Sequence, residues 1–257
     1  MYYPIQIPYI LDDTFLKHIK YQEDTIDGLT DFVICYWQMT PIKNVSIELD
    51  NIIILDGCID LVVDFEEKLI GFSGMSSTDF HFKIQLPAKF MGLRLTPGAF
   101  HQLTKREPQA AMDKFLPISE VYGDFNQKYF FSLSFNEAKQ YLIDFIKSKI
   151  GNIQPNSYTK LFNDLIHEPP ASVNKLCQIL NLSQSQCQRN FNKNFGLSPK
   201  VVLSILRFQK SITLLTSTKT KPSDLLEFSQ YYDQSHLIND FQRNIGLTPL
   251  ELLAKYK

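Results

Sequence analysis

The sequence predicts an α+β chain, with a β-rich front half carrying flanking helices and an all-helical back half. Three observations carry this. Residues 31–96 show period-two alternation and short apolar runs bounded by turn residues. Residues 158–257 hold a repeat at an offset of 50 positions, each copy with helix caps and helical apolar spacing. Charge divides in the same place. Residues 158–257 have 12 basic and 7 acidic residues, a balance of +5; the remainder has 14 and 20, a balance of −6, which together give the formal net charge of −1.

In chain order, the front half starts from strands. Phe80, Phe82, Ile84 and Leu86 alternate with His81, Lys83 and Gln85, as on a half-buried strand. Ile52–Leu55 and Ile59–Phe65 read as short strands joined through Asp56-Gly57. Glu66-Glu67-Lys68 then turns the chain toward Leu69-Ile70. A small antiparallel barrel or sandwich follows from this. Ser134-Phe-Asn-Glu137 is a capping box opening a helix to about Lys149. Its stripe of Ala138, Tyr141, Leu142, Phe145 and Ile146 reads equally as a dimer seam and as a surface packed on the front half. Gly151-Asn-Ile-Gln-Pro-Asn156 is a linker, which divides the chain into domains 1–150 and 151–257.

In the back half, Phe191-Asn-Lys-Asn-Phe-Gly-Leu-Ser-Pro199 matches Phe241-Gln-Arg-Asn-Ile-Gly-Leu-Thr-Pro249. Ser183 and Asp233 are N-caps, because their side-chain oxygens accept the orphan N–H groups of a first turn. Cys187, Phe191 and Asn194/Phe195 then form one stripe, as do Leu237, Phe241 and Ile245. Gly196 and Gly246 stand where a positive φ ends a helix. Ser198-Pro199 and Thr248-Pro249 restart one, with Pro at the first helical position. Ahead of each copy lies a shorter helix: Val173–Leu180, capped by Ser172 and ended at Asn181, and Asp224–Ser229, opened by Pro222-Ser223. Each pair is a helix-turn-helix. Between the pairs, Pro199 to about Thr216 carries Val202, Ile205, Leu206, Ile212 and Leu215 on one stripe. Such a helix spans roughly 25 Å at about 1.5 Å per residue, enough to set the two second helices near major grooves about 34 Å apart.

The polar faces of those second helices point to DNA. Gln184, Ser185, Gln188, Arg189, Asn192 and Lys193 lie off the first apolar stripe; Gln234, Ser235, Ile238, Asn239, Gln242 and Arg243 lie off the second. Gln, Asn and Arg pair bidentately with adenine and guanine edges, while Lys193, Arg243 and capped helix N-termini suit phosphates. One polar helix face is ordinarily just solvated. Two in register, in the basic part of an acidic chain, favour DNA.

At these residues the chain resembles the C-terminal domain of the AraC/XylS family of bacterial transcription regulators, over about Tyr158 to Lys257. The carrying pieces are Leu176-Cys177, Leu182-Ser183-x-Ser185, Arg189-x-Phe191 and Gly196-x-Ser198-Pro199, then Tyr231-Tyr232-Asp233-Gln234-Ser235-His236-Leu237, Phe241 and Gly246-x-Thr248-Pro249. The resemblance implies that the second helix of each motif enters the major groove, with Ser185, Gln188, Arg189, Gln234, Ser235 and Asn239 at base edges. The family usually has Gly at Gln230, Ala at Leu226, Arg at Asn239 and a larger aliphatic residue at Cys187. The first motif is therefore expected to supply most of the sequence discrimination. In the front half, Leu55-Asp-Gly-Cys-Ile-Asp-Leu-Val62 and Gly92-Leu-Arg-Leu-Thr-Pro-Gly-Ala99 resemble the cupin-like N-terminal domain of one branch of these regulators, with Leu55 where Pro is usual.

Other chemistry finds little footing. The five histidines (His18, His81, His101, His167, His236) show no H-x-H or H-x-x-x-H ligand spacing, and no metal or cofactor is expected. No G-x-S-x-G, P-loop or dinucleotide fingerprint appears. Tyr36, Trp37 and Arg94 read either as pocket lining, with Arg94 facing a carboxylate, or as core aromatics and a rim salt bridge. Cys35, Cys58, Cys177 and Cys187 form no C-x-x-C pair and read as reduced, mostly buried thiols; a redox role for Cys58 is the minor reading. An alkyl-transfer repair enzyme on the same DNA-binding unit would need a zinc-held cysteine cluster, which this spacing does not offer. No apolar run reaches the ~18 residues of a membrane helix, and the N-terminus lacks a signal peptide's basic and apolar regions.

The expectation is a non-enzymatic cytoplasmic regulator, more an activator than a repressor. Its partners are double-stranded promoter DNA and RNA polymerase, with a small-molecule effector and a homodimer contact assigned to the front half. The competing reading is a degenerate relative acting as an antagonist or co-regulator through protein contacts.

Overall fold

The computed structural model describes residues 1–6, 17–74, 80–217, 225 and 231–255. The front half is a six-stranded antiparallel sheet built from β1 (Ile19–Asp24), β2 (Val33–Pro41), β4 (Ile59–Asp64), β5 (Leu69–Ser73), β7 (Phe90–Leu95) and β8 (Phe115–Pro117), with a separate two-stranded ribbon of β3 (Glu48–Ile53) and β6 (Phe80–Gln85). Strand order in the large sheet is β1-β2-β7-β4-β5-β8. The central strand β7 is buried at every position, because both faces of the sheet are covered.

One face carries Tyr36, Ile59, Leu61, Val63, Met91, Leu93 and Leu95. It packs against α2 (Ile118–Val121), α3 (Gln127–Phe130) and α4 (Phe135–Ile150). The capping box of α4 is formed: Ser134 Oγ accepts from the Glu137 N–H, and Glu137 accepts from the Ser134 N–H at 2.9 Å. Ala138, Leu142 and Ile146 of its stripe are buried in this core, with Tyr141 and Phe145 packed at its edge. That stripe packs within the chain, so it is not free to be a dimer seam.

The other face carries Cys35, Trp37 and Phe90 and meets Leu49 and Ile84 of the ribbon. Ile84 and Leu86 are buried and Lys83 and Gln85 exposed, following the sequence alternation. The segment read as one strand over Ile52–Leu55 divides. Its first part ends β3 at Ile53 and pairs with β6 rather than with β4, whereas Ile54 and Leu55 leave the sheet for the interior.

The helical half contains α5 (Ser157–Leu165), α6 (Val173–Leu180), α7 (Gln184–Phe195), α8 (Pro199–Ser217), α9 (Gln234–Ile245) and α10 (Pro249–Lys255). The short helix expected at Asp224–Ser229, with the departures at Leu226 and Gln230, lies outside the described residues apart from a buried helical Leu225. The two halves share one core. Phe162, Cys187, Phe191, Phe195 and Leu197 are in the same cluster as Cys35, Trp37, Leu55 and Cys58. α1 (Ala99–Thr104) packs on α7. Its buried Gln102 holds the connecting segment, donating to the Gln154 carbonyl at 2.5 Å and accepting from the Asn156 N–H at 3.2 Å.

Residues 1–6 make a second crossing. The Tyr2 ring meets Phe162 edge-on at 5.1 Å, its hydroxyl donates to the Asp56 carbonyl, and its N–H donates to Asn163. Gln209 of α8 accepts from the Ile5 N–H at 2.9 Å and donates to the Leu55 carbonyl at 3.3 Å.

Candidate nucleic-acid interface

Both second helices are built from their caps outward. Ser183 Oγ accepts from the Gln186 N–H at 3.3 Å and Gln186 returns a bond to the Ser183 N–H at 2.9 Å, a reciprocal box that sets the start of α7. Asp233 Oδ1 accepts from the His236 N–H at 2.7 Å and starts α9. Each helix then buries its apolar stripe: Cys187, Phe191 and Phe195 in the first, Leu237, Phe241 and Ile245 in the second. Gly196 (φ 73°) and Gly246 (φ 68°) end them in the left-handed conformation.

The faces left outside hold the residues singled out in the sequence. Gln184, Ser185, Gln188, Arg189 and Lys193 are all exposed on α7, and Gln234, Ser235, Asn239 and Arg243 are all exposed on α9. Among the described residues none of Arg189, Lys193 and Arg243 is ion-paired. Gln188 donates to Asn192 Oδ1 at 2.9 Å, and Gln184 donates to Asn174 of α6, so the glutamines are already oriented on the surface.

Sequence reasoning missed two features. The first is a groove alongside α7. It is open, about 1210 Å³ in volume, and its second wall is formed by His101, Lys105, Glu107 and Gln109 of the front half. The only trace in the sequence is Lys105-Arg106, two adjacent cations in an acidic half. The second is Asp240, which points inward. It accepts from Tyr231 Oη at 2.9 Å, Ser204 Oγ at 3.2 Å and Asn244 Nδ2 at 3.3 Å. Burial, followed by the charge of Asp240, pushes the Tyr231 hydroxyl well above its ordinary range.

The Tyr36–Trp37–Arg94 set does not line one pocket. Tyr36 and Trp37 face opposite sides of the sheet. Arg94 is not at a rim either: it is buried, 2.9 Å from Glu23, with Nε 3.6 Å from Asp60 and 3.8 Å from Asp56 and without a hydrogen bond. Trp37 Nε1 donates to Asp60 at 2.9 Å. Burial pushes the Asp60 carboxyl up to about 7, against the opposing pull of Arg94. All four cysteines are free and buried; burial raises the Cys35 and Cys187 thiols to about 12 and Cys58 well above its ordinary value. Such thiols do not ionise readily, which disfavours a redox role. Among the described residues no helix is long and apolar enough to cross a membrane.

Comparison with known proteins assigns both halves. Residues 176–255 match the family described as helix-turn-helix domain, and residues 26–117 match a domain of unknown function, DUF6597. No curated protein matches the chain significantly. Among solved structures, the chain is similar to the C-terminal domain of the two-component response regulator YesN from Fusobacterium nucleatum, at 24% identity, TM-score 0.35, over 38% of this chain and 99% of that one. It is also similar to the C-terminal domain of AraT, a response regulator from Geobacillus stearothermophilus, at 20% identity, TM-score 0.34, over 37% and 82%. ToxT from Vibrio cholerae is similar over 94% of this chain and 99% of its own, at 13% identity and TM-score 0.42. The chain thus carries an AraC-type helix-turn-helix domain, a unit of DNA-binding transcription regulators, behind a β-rich DUF6597 domain.

Proposed function

We propose that the protein reads two successive major-groove segments of promoter DNA, with α7 and α9 as the two recognition helices. The observation that carries this is the pairing of two helices in identical register, each with its stripe buried and its Gln, Ser, Asn and Arg side chains outside. Gln184, Ser185, Gln188 and Arg189 serve as base-edge contacts in the first segment, and Gln234, Ser235 and Asn239 in the second. Lys193 and Arg243 serve as phosphate contacts. The 19 residues of α8 separate the motifs by roughly 28 Å at about 1.5 Å per residue.

The domain division near residue 151 belongs to this reading, with the front half as the regulatory part that meets an effector or a second copy. Activation through RNA polymerase, in the cytoplasm, completes it. The balance of only +5 over residues 158–257 predicts weak non-specific binding with a shallow salt slope. Footprinting tests the proposal: protection of two segments about one helical turn apart supports it. Absence of specific protection at moderate salt favours the second reading, an antagonist or co-regulator acting through protein contacts. That reading draws support from Asn239, which lacks the family's guanidinium, and from Tyr232 and Leu250, 91% and 67% exposed on the second motif.

A further inference from the structure

We propose that the front half is itself part of the DNA interface: the groove between α7 and the segment His101–Gln109 seats the phosphodiester backbone of one strand flanking the first major-groove segment, and Lys105 is its phosphate contact. This rests on α7 entering a major groove.

The groove's form fits a strand better than a small molecule. At about 1210 Å³ it exceeds the roughly 300–1,000 Å³ of enclosed ligand pockets, and it is open, with cations and amides on both walls. Its α7 wall carries Gln188, Arg189 and Lys193; the facing wall carries His101, Lys105 and Gln109. A helix lying in a major groove has a phosphate backbone on either side of it. A wall fixed beside such a helix must therefore either hold that backbone or obstruct it.

Charge decides between these. The chain outside residues 158–257 has a balance of −6, yet His101–Arg106 contains a histidine, a lysine and an arginine and no carboxylate. Against Lys105, Arg189 and Lys193, Glu107 is the one acid lining the groove. Lys105 also neutralises its own surroundings. It ends α1 in the left-handed conformation (φ 60°), and its Nζ donates to the Gln102 carbonyl at 2.8 Å while remaining exposed. The carbonyl end of α1, which would repel a phosphate, is thereby covered by a cation.

The wall is fixed to the helix it faces. Gln109 Nε2 donates to the Asn192 carbonyl of α7 at 3.2 Å, and a Cβ on Gly196 would stand 3.1 Å from Pro108 Cβ. Lys105 and Arg189 are thus carried by one rigid unit, so seating the strand costs little ordering.

The test uses the full chain, a duplex selected by the protein from a random pool, and a scrambled duplex, with affinities measured across a salt series. Lys105→Ala should weaken binding to both duplexes by a similar factor and lower the log–log salt slope by about 1; Lys105→Glu should weaken both further. Arg189→Ala should lose roughly 5- to 150-fold on the selected duplex and much less on the scrambled one. If both Lys105 variants leave affinity and slope unchanged while Arg189→Ala loses the selected duplex, the proposal is overturned and the reading of α7 survives. Tighter binding by Lys105→Ala would show the wall obstructing DNA and overturn it too. No effect of Arg189→Ala on the selected duplex would remove the α7 reading, and this proposal with it. Lys105 is exposed, so its variants should fold, with an unchanged Tm as the check.

Discussion

The two copies of the repeat share sequence, an N-capped helix and its buried stripe, but they are held differently. The first is fused to the front half: Phe191 and Phe195 lie in one core with Cys35 and Trp37, and α1 packs along α7. The second has a core largely its own, Phe208, Ile212, Leu237, Phe241, Ile245 and Leu252, which the front half reaches through Ile54 and Ile5. Gly196 and Gly246 record the contrast. A Cβ on Gly196 would meet Met112 Sδ at 2.7 Å; one on Gly246 would meet nothing within 4 Å. A repeated motif therefore supplies one helix pair held by the front half and one helix that depends mainly on its own packing.

The largest effects should come from the matching aromatics. Phe191 and Phe241 are both fully buried, and replacing either by Ala should cost about 3–5 kcal/mol. Phe191→Ala should shift the unfolding of the front half as well, whereas Phe241→Ala should lower a transition confined to the second motif. Coincident transitions in both variants, followed by fluorescence of Trp37 and by helical circular dichroism, would erase the contrast. Next is Asp240→Ala. It takes the acceptor from Tyr231 Oη and Ser204 Oγ, while Asn244 Nδ2 keeps the Asp240 carbonyl, so a loss of about 1–3 kcal/mol is expected, against a smaller one for Asn190→Ala, the half-buried counterpart in the first copy. Chemical denaturation reads both.

The glycines give a smaller and more pointed comparison. Each has a positive φ, so Gly246→Ala should cost about 1–2 kcal/mol of backbone strain. Gly196→Ala should cost more, because Met112 and Pro108 must also give way. Equal drops in Tm would show that the contact with the front half carries no energy.

The most gradual effect is a pH dependence under the first copy. Asp60 has a native value of about 7, above the ~3.9 of an unfolded aspartate. Between these values the native state holds a proton that the unfolded state has released. Asp60 therefore makes stability fall as pH rises through about 7, and flatten above it. Asp60→Asn keeps an acceptor for Trp37 Nε1 and should flatten this part of the profile. A persisting slope would assign it to another group.

Local chemistry was the legible part of the sequence. Ser134, Ser172, Ser183 and Asp233 cap helices where the side-chain oxygens and following stripes indicated, because a cap needs only residues within one turn. Pairing at long range was not legible. Ile52 and Ile53 lie a few residues from β4 yet pair with His81 and Phe80, since period-two patterning fixes a strand's faces but not its neighbour. Nor could a charge count show which charges go inside. Arg94 sits buried among Glu23, Asp56 and Asp60 because three distant segments converge there. The wall beside α7 was hidden for the same reason: His101 and Arg189 belong to opposite halves of the chain and meet only through the shared core.

The double crossing between the halves makes the covalent one redundant. Tyr2 and Ile5 already tie the front of the chain to α5 and α8, and Gln209 closes the clasp onto Leu55. A protease cut between Gly151 and Asn156 should leave two fragments that co-elute as one particle. The same two fragments, expressed separately, should reassemble, which would make this chain a natural split protein whose halves report on each other's presence.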